Sequence, residues 1–216
     1  MLGLGNRLTA KRYASRYLPT NISNLLVWLS TDTLLTEDTI VSNELRSWTN
    51  KADASYNFKH IDANRGPEVN TGRTEITFSG TTNGDSLIAK DNQGNTIEAE
   101  LDYAEGYTIC MILTNEGMDS GSVFAGSALS SNSGLTFFDA DVIQLKTHNG
   151  SITNLAAEGI EDDVFFSLII VVEDSGSGNC KTFINNQQTG QETIDEGFHF
   201  SQLGGTNSNS LNESDT

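Results

Sequence analysis

Cysteine and proline are the first scarcities, with two of each in 216 residues. Cys110 and Cys180 lie in apolar, strand-like contexts and cannot found a disulfide scaffold. They read as isolated small hydrophobes, with a bridge between facing sheets as the alternative. A chain of this length buries roughly 70% of the surface its unfolded form exposes, so it needs no covalent or metal staple. With so little proline, turns fall to the 20 glycines and to Asn, Asp and Ser, which accept positive φ or cap turns locally. Basic residues are scarce too: 12 Lys and Arg stand against 29 Asp and Glu, a net charge of −17. That balance excludes a nucleic-acid-binding body, which needs a basic surface for phosphates, and disfavours an anionic membrane surface. Long apolar runs are absent. The longest, Phe165–Val172, is strand length and contains Ser167, so no membrane span is expected. The opening residues lack the apolar core and small-residue cleavage site of a secretory signal, and none is expected.

What is present begins with an anomaly. Arg7, Lys11, Arg12 and Arg16 place four of the twelve basic residues in the first sixteen positions, interleaved with Tyr13 and Tyr17. A basic, aromatic-bearing terminus that orders on a partner buries much surface per residue, so residues 1–20 read as an assembly arm. The alternative is a solvated basic tail without a partner.

Beyond the arm, short apolar runs recur about every ten residues with Gly, Asn and Ser between them, and no stretch has helical periodicity. NLLVWLSTDT (Asn24–Thr33) reads as an apolar strand, and ELRSWTNKAD (Glu44–Asp53) carries Trp48 as a core anchor. SYNFKH places Tyr56, Phe58 and His60 on one strand face by period-two alternation. RGPEV reads as a turn, TEITFSG as a short strand, and SLIAKDNQGNTIEAEL as strand, turn and extended piece. YTICMILT (Tyr107–Thr114) reads as a central strand; GSVFAGSA and LTFFDADVIQLKTH follow, the latter bent near Asp139–Asp141. SITNLAA follows an Asn149–Gly150 turn, and FFSLIIVVE with CKTFINNQQTG forms the clearest hairpin across DSGSGN. The pattern predicts an all-β chain folded as an antiparallel β-sandwich over residues 21–205, with a polar tail at 206–216.

The order N-L-x-x-W-L, S-W-T-N-K, G-Y-T-I-x-M-I-L, F-F-S-L-I-I-V-V-E, glycine turn and F-I-N-N-Q-Q-T-G resembles the concanavalin A-like, laminin G-like jelly rolls of phage virion proteins and secreted adhesins. The opening M-L-G-L-G-N is similar to the start of small virion-associated proteins of marine phages. In the family, N-N-Q-Q-T-G corresponds to a hairpin tip where glycine often sits at the position of Asn186. The resemblance also implies a further closing strand after the polar loop, where this sequence reads SLNESDT. The expectation is a longer gene product, or an edge completed by a neighbouring chain.

Three kinds of chemistry are candidates. Glu100, Asp102 and Glu105 spell E-x-D-x-x-E, which resembles the signature of glycoside hydrolases on this fold, the first Glu as nucleophile and the last as acid/base. Gly106 directly after the last Glu argues for a turn instead, and Trp28 and Trp48 alone supply a sugar-stacking cleft poorly. Asp139 and Asp141, with Asp162 and Asp163, could offer oxygen to Ca²⁺, but no EF-hand spacing is present, so no cofactor is expected. His60, His148 and His199 lie far apart without zinc spacing, and no Ser-His-Asp set can be picked out. Loop-borne Asn, Asp and aromatics leave glycan binding open.

The leading expectation is therefore a non-enzymatic virion structural protein, located on the particle. Its arm would fasten many copies to capsid or tail subunits, and a lectin-like sandwich would be displayed as a decoration, fibre or tail-associated module, without nucleic-acid or membrane partners. A lectin or adhesin reading host-surface glycans is the alternative, and a glycanase using Glu100 and Glu105 the third reading. Deletion of residues 1–19 is expected to abolish incorporation into particles, measured by mass spectrometry of the sedimentable fraction; unchanged incorporation would remove the arm's role.

Overall fold

A computed structural model describes residues 22–35, 39–60, 66–78, 86–114, 122–129, 133–139, 142–156, 158–161 and 164–204. Seventeen strands and one 3-10 helix, Thr31–Leu35, make up the regular structure of these residues. In chain order the strands are β1 (Thr39–Val41), β2 (Glu44–Trp48), β3 (Tyr56–Lys59), β4 (Glu68–Val69), β5 (Ile76–Thr77) and β6 (Leu87–Asp91). Next come β7 (Ala99–Leu101), β8 (Tyr107–Leu113), β9 (Ser122–Gly126), β10 (Gly134–Asp139), β11 (Val142–Lys146) and β12 (Ile152–Ala156). The last are β13 (Phe166–Val172), β14 (Asn179–Ile184), β15 (Gln187–Thr193), β16 (Phe198–Phe200) and β17 (Gln202–Leu203).

All pairings are antiparallel. The larger sheet runs β12-β11-β10-β9-β17-β6-β3-β2-β4-β5, with β1 beside β2. The smaller runs β15-β14-β13-β8, and β16 pairs with β7. The chain is an all-β antiparallel sandwich, as the alternating patterns predict, and of the jelly-roll type that the resemblance implies. Leu135, Ile143, Leu145 and Leu155 from the larger sheet meet Phe166, Leu168, Ile170 and Cys180 from the smaller in one core. A second core gathers Leu34, Leu45, Tyr56, Phe58, Leu87 and Ala89. Phe200 and Leu203 pack against both.

Local expectations fare unevenly. Tyr56, Phe58 and His60 do share a buried face. The β13–β14 hairpin forms, and Asn149–Gly150 makes its turn with Gly150 at φ 90°. Asn185 and Asn186, at φ 51° and 66°, form the β14–β15 turn as an asparagine pair, since Asn tolerates the left-handed region.

Five readings are corrected. Asn24–Ser30 is no strand: beyond one backbone bond, Lys51 N–H to Trp28 C=O at 2.9 Å, side chains stand in for a ladder. Asn50 Oδ1 accepts from Trp28 N–H at 3.0 Å, and Leu26 C=O accepts from Asn50 Nδ2 at 3.2 Å and from the Tyr56 hydroxyl at 2.7 Å. Leu45, not Trp48, is the fully buried residue of β2; the Trp48 indole stays partly exposed, donating to Ser30 C=O at 3.1 Å. RGPEV contributes β4, whose Val69 N–H donates to Asn43 C=O. Residues 135–148 form not one bent strand but the paired β10 and β11, with a register shift at Phe137/Asp139. And β8 is not central. Among the described residues it has one neighbour, β13.

Burial accounts for the thiols and one phenol. Desolvation pushes the Cys180 thiol up to about 11, raises that of Cys110, and raises the Tyr107 hydroxyl, which is buried without a hydrogen-bond partner. The β13–β14 turn depends on Gly178. Its φ is 65°, and a Cβ there would sit 1.7 Å from the Ile194 carbonyl oxygen, whose own N–H donates to Gly178 C=O. Gly178→Ala is expected to destabilise the fold by at least about 2 kcal/mol, read as a lowered urea midpoint at unchanged slope.

Candidate functional site

Alternation along Phe198-His199-Phe200 sends both phenyl rings inward and His199 outward, and the facing strand β7 does the same with Leu101 and Ala99 against Glu100. Glu98, two residues before Glu100, lies on that outward side and reaches His199 across 101 positions of sequence, Oε1 to Nδ1 at 2.9 Å. Its other oxygen accepts from the Ser127 hydroxyl and, at 3.3 Å, from the Ser201 hydroxyl. Those serines in turn accept backbone N–H groups, Ser127 from Leu129 at 3.1 Å and Ser201 from Ala128 at 2.8 Å. His199 N–H donates to Ser133 Oγ at 3.2 Å. Ser127, Ser133 and Ser201 are buried, and the side chains of His199 and Glu98 are 17% and 13% exposed.

The His148 ring lies flat on that of His199, centroids 3.8 Å apart and planes at 12°. His148 is exposed, positioned by its N–H donating to Gly197 C=O and by the Asn149–Gly150 turn. A carboxylate can only accept, so the Nδ1 that faces Glu98 carries a proton, and Nε2 is the ring nitrogen left for another partner. The arrangement can orient a hydrogen bond to a ligand, and it offers a stacked, half-open imidazole surface beside it.

The strand that leads to His148 carries a second feature. On the outer face of β10–β12, Thr136 stands opposite Gln144 and Gln144 opposite Asn154. Gln144 Nε2 donates to Asn154 Oδ1 at 3.0 Å, which leaves Gln144 Oε1 to accept and Asn154 Nδ2 to donate. Phe138, the extra residue at the β10 register shift, turns outward beside this row and is 48% exposed; Ile152 lies beyond at 57%. Lys146 stands opposite Ile152 on the same face.

The predicted residues are placed as follows. Glu100 stands on β7 directly opposite His199, on the exposed side. Asp102 and Glu105 are beyond the strand in an exposed turn, where Asp102 Oδ1 accepts Ala104 N–H at 2.8 Å and Gly106 follows at φ 71°. E-x-D-x-x-E thus spans a strand end and a turn instead of one strand face. Asp139 ends β10, while Asp141, Asp162 and Asp163 fall outside the described residues, as do Arg7, Lys11, Arg12, Tyr13, Arg16 and Tyr17 of the arm and the 206–216 tail. Among the described residues no group of three His, Cys, Asp or Glu could hold a metal ion. Sequence reading passed over Glu98 and separated His148 from His199. The F-H-F alternation marks His199 as outward-facing, but nothing in the sequence pairs it with Glu98.

No family model matches this sequence, and no curated protein matches it. Solved structures do resemble it. The HCR/D crystal structure aligns with TM-score 0.50 at 16% identity, over 77% of this chain and 44% of that one. The receptor binding domain of botulinum neurotoxin D aligns at 0.47 and 17%, over 80% and 49%. The alginate lyase AlgAT5 of polysaccharide lyase family 7 aligns at 0.42 and 15%, over 82% and 86%. This chain thus spans less than half the length of the first two, and the likeness is one of fold.

Glu98→Ala removes the acceptor shared by Ser127, Ser201 and His199. It is expected to cost about 2–3 kcal/mol in urea unfolding, with Glu98→Gln milder because one acceptor oxygen remains.

Proposed function

We propose that the chain is a lectin-like binding module that holds a neutral glycan on the outer face of β10–β12 without covalent chemistry. The observation that carries this reading is the Gln144–Asn154 pair flanked by Thr136 and the outward Phe138. A sugar hydroxyl both donates and accepts, so adjacent hydroxyls complement one free amide oxygen and one free amide N–H₂. An exposed phenyl ring meets the C–H face of a pyranose at little entropic cost. An uncharged ligand suits this face better than an anionic one, which a body of net charge −17 would repel.

The setting we propose is a virion. There the basic arm anchors many copies to capsid or tail subunits, and avidity compensates for one shallow site per copy. This part rests on the sequence resemblance and on the clustering of Arg7, Lys11, Arg12 and Arg16. Finding the protein in stoichiometric amount with sedimented particles would support it, and finding it free of particles would remove it.

The glycan reading is tested by screening immobilised neutral glycans and measuring the retained one by calorimetry. Phe138→Ala and Asn154→Ala are each expected to weaken binding about tenfold, as about 1.4 kcal/mol of contact is lost. If no neutral glycan is retained, or both variants bind like the parent, the face is not a glycan site.

A further inference from the structure

Sheet borders are where β proteins risk unwanted pairing, and they are normally shortened, charged, bulged or covered. Most borders here follow that rule. β12 and β15, at one margin of the two sheets, lie against each other. β1, β7 and β16 have three residues each and β5 has two. β8 departs from it. It has seven residues, YTICMIL, with no charge and no proline, and pairs with β13 throughout without a register shift. Ile112 on its outer side is 78% exposed, and Ile109, Met111 and Leu113 on its inner side are only partly buried.

The direction of its free backbone groups follows from β13. Ser167 C=O accepts Asn185 N–H and its N–H donates to Asn185 Oδ1, both at 3.0 Å, so the polar groups of Ser167 face β14. By alternation those of Phe166, Leu168 and Ile170 face β8, where they meet Leu113, Met111 and Ile109. The N–H and C=O of Thr108, Cys110 and Ile112 therefore point away from β13, and no described strand lies there.

We infer that β8 pairs antiparallel with β8 of a second copy of this chain, about a two-fold axis at Cys110. Three observations select a second copy. The outward groups fall symmetrically about Cys110, so Cys110 pairs with its own equivalent and Thr108 with Ile112 of the other copy, which is what an isologous interface requires. The strand carries none of the charge of a −17 body, so two copies can meet there with little like-charge repulsion. And Ile109, Met111 and Leu113, which pack against the core, stay only partly buried where β8 borders its sheet. A seven-residue ladder is a narrow contact, below the about 1,200 Å² of a standard interface, so the dimer is reversible. It joins two smaller sheets into one continuous sheet.

The test is sedimentation equilibrium of the full chain over a dilution series, with Ile112→Lys and Thr108→Lys as variants at exposed positions whose circular dichroism is checked against the parent. The parent should dimerise reversibly, and each variant should weaken the dimer at least about tenfold by placing a charge on the edge. Mild oxidation should cross-link the parent and not Cys110→Ser, because a hydrogen-bonded antiparallel pair sets Cα atoms about 5.5 Å apart, within disulfide range. A parent that stays monomeric at every concentration overturns the inference. So does a dimer indifferent to both lysines. Concentration-independent hydrogen-exchange protection of the Thr108, Cys110 and Ile112 amides in a monomer would likewise overturn it, since the edge would then be filled by the same chain.

Discussion

One short segment, Phe198–Leu203, decides how this sandwich is joined. Its first half pairs with β7 and its second runs between β6 and β9, and Ser201 is the joint. There the Ser201 N–H donates to Gly126 C=O, its C=O accepts Ala89 N–H, and its hydroxyl both accepts Ala128 N–H and donates to Glu98. A buried strand that changes partners leaves backbone groups that must be satisfied at the corner, and one serine satisfies them here. The same segment ties the two cores together. Phe198 fills the first, and Phe200 reaches Phe58 of the second with ring centroids 5.6 Å apart.

The histidine cluster is a by-product of that joint. With Phe198 and Phe200 fixed inward, His199 has only the outward side, where Glu98 and the serines that close the β9 turn already converge. A carboxylate with three donors in a mostly buried setting is rigid, and a rigid imidazole beneath an exposed one gives the surface a fixed polar landmark. The amide row on β11 and β12 is different in kind. It costs the fold little, because its side chains stand on the solvent face of strands whose alternate residues, Ile143, Leu145 and Leu155, hold the core.

The two proposed surfaces lie on separate parts of the molecule. The face proposed for glycans belongs to the larger sheet and the uncharged border to the smaller. Pairing at β8 as proposed would leave Phe138, Gln144 and Asn154 open in each copy, so that two weak sites would act as one on a repetitive surface.

The sequence by itself determined the all-β class, most strands and the inward face of each, because a period of two is written residue by residue and burial enforces it. It also showed the β13–β14 hairpin and the turn at Asn149–Gly150, whose chemistry is local. It misplaced Asn24–Ser30, since an apolar run looks like a strand whether ladder bonds or the side chains of Asn50 and Tyr56 satisfy its backbone. It could not rank β8, because central and border strands share one apolar pattern and differ only in who stands beside them. The tertiary structure alone brought Glu98 to His199 and His199 under His148. Those relations depend on which strands pair across a hundred residues, and no periodicity within a strand encodes that choice.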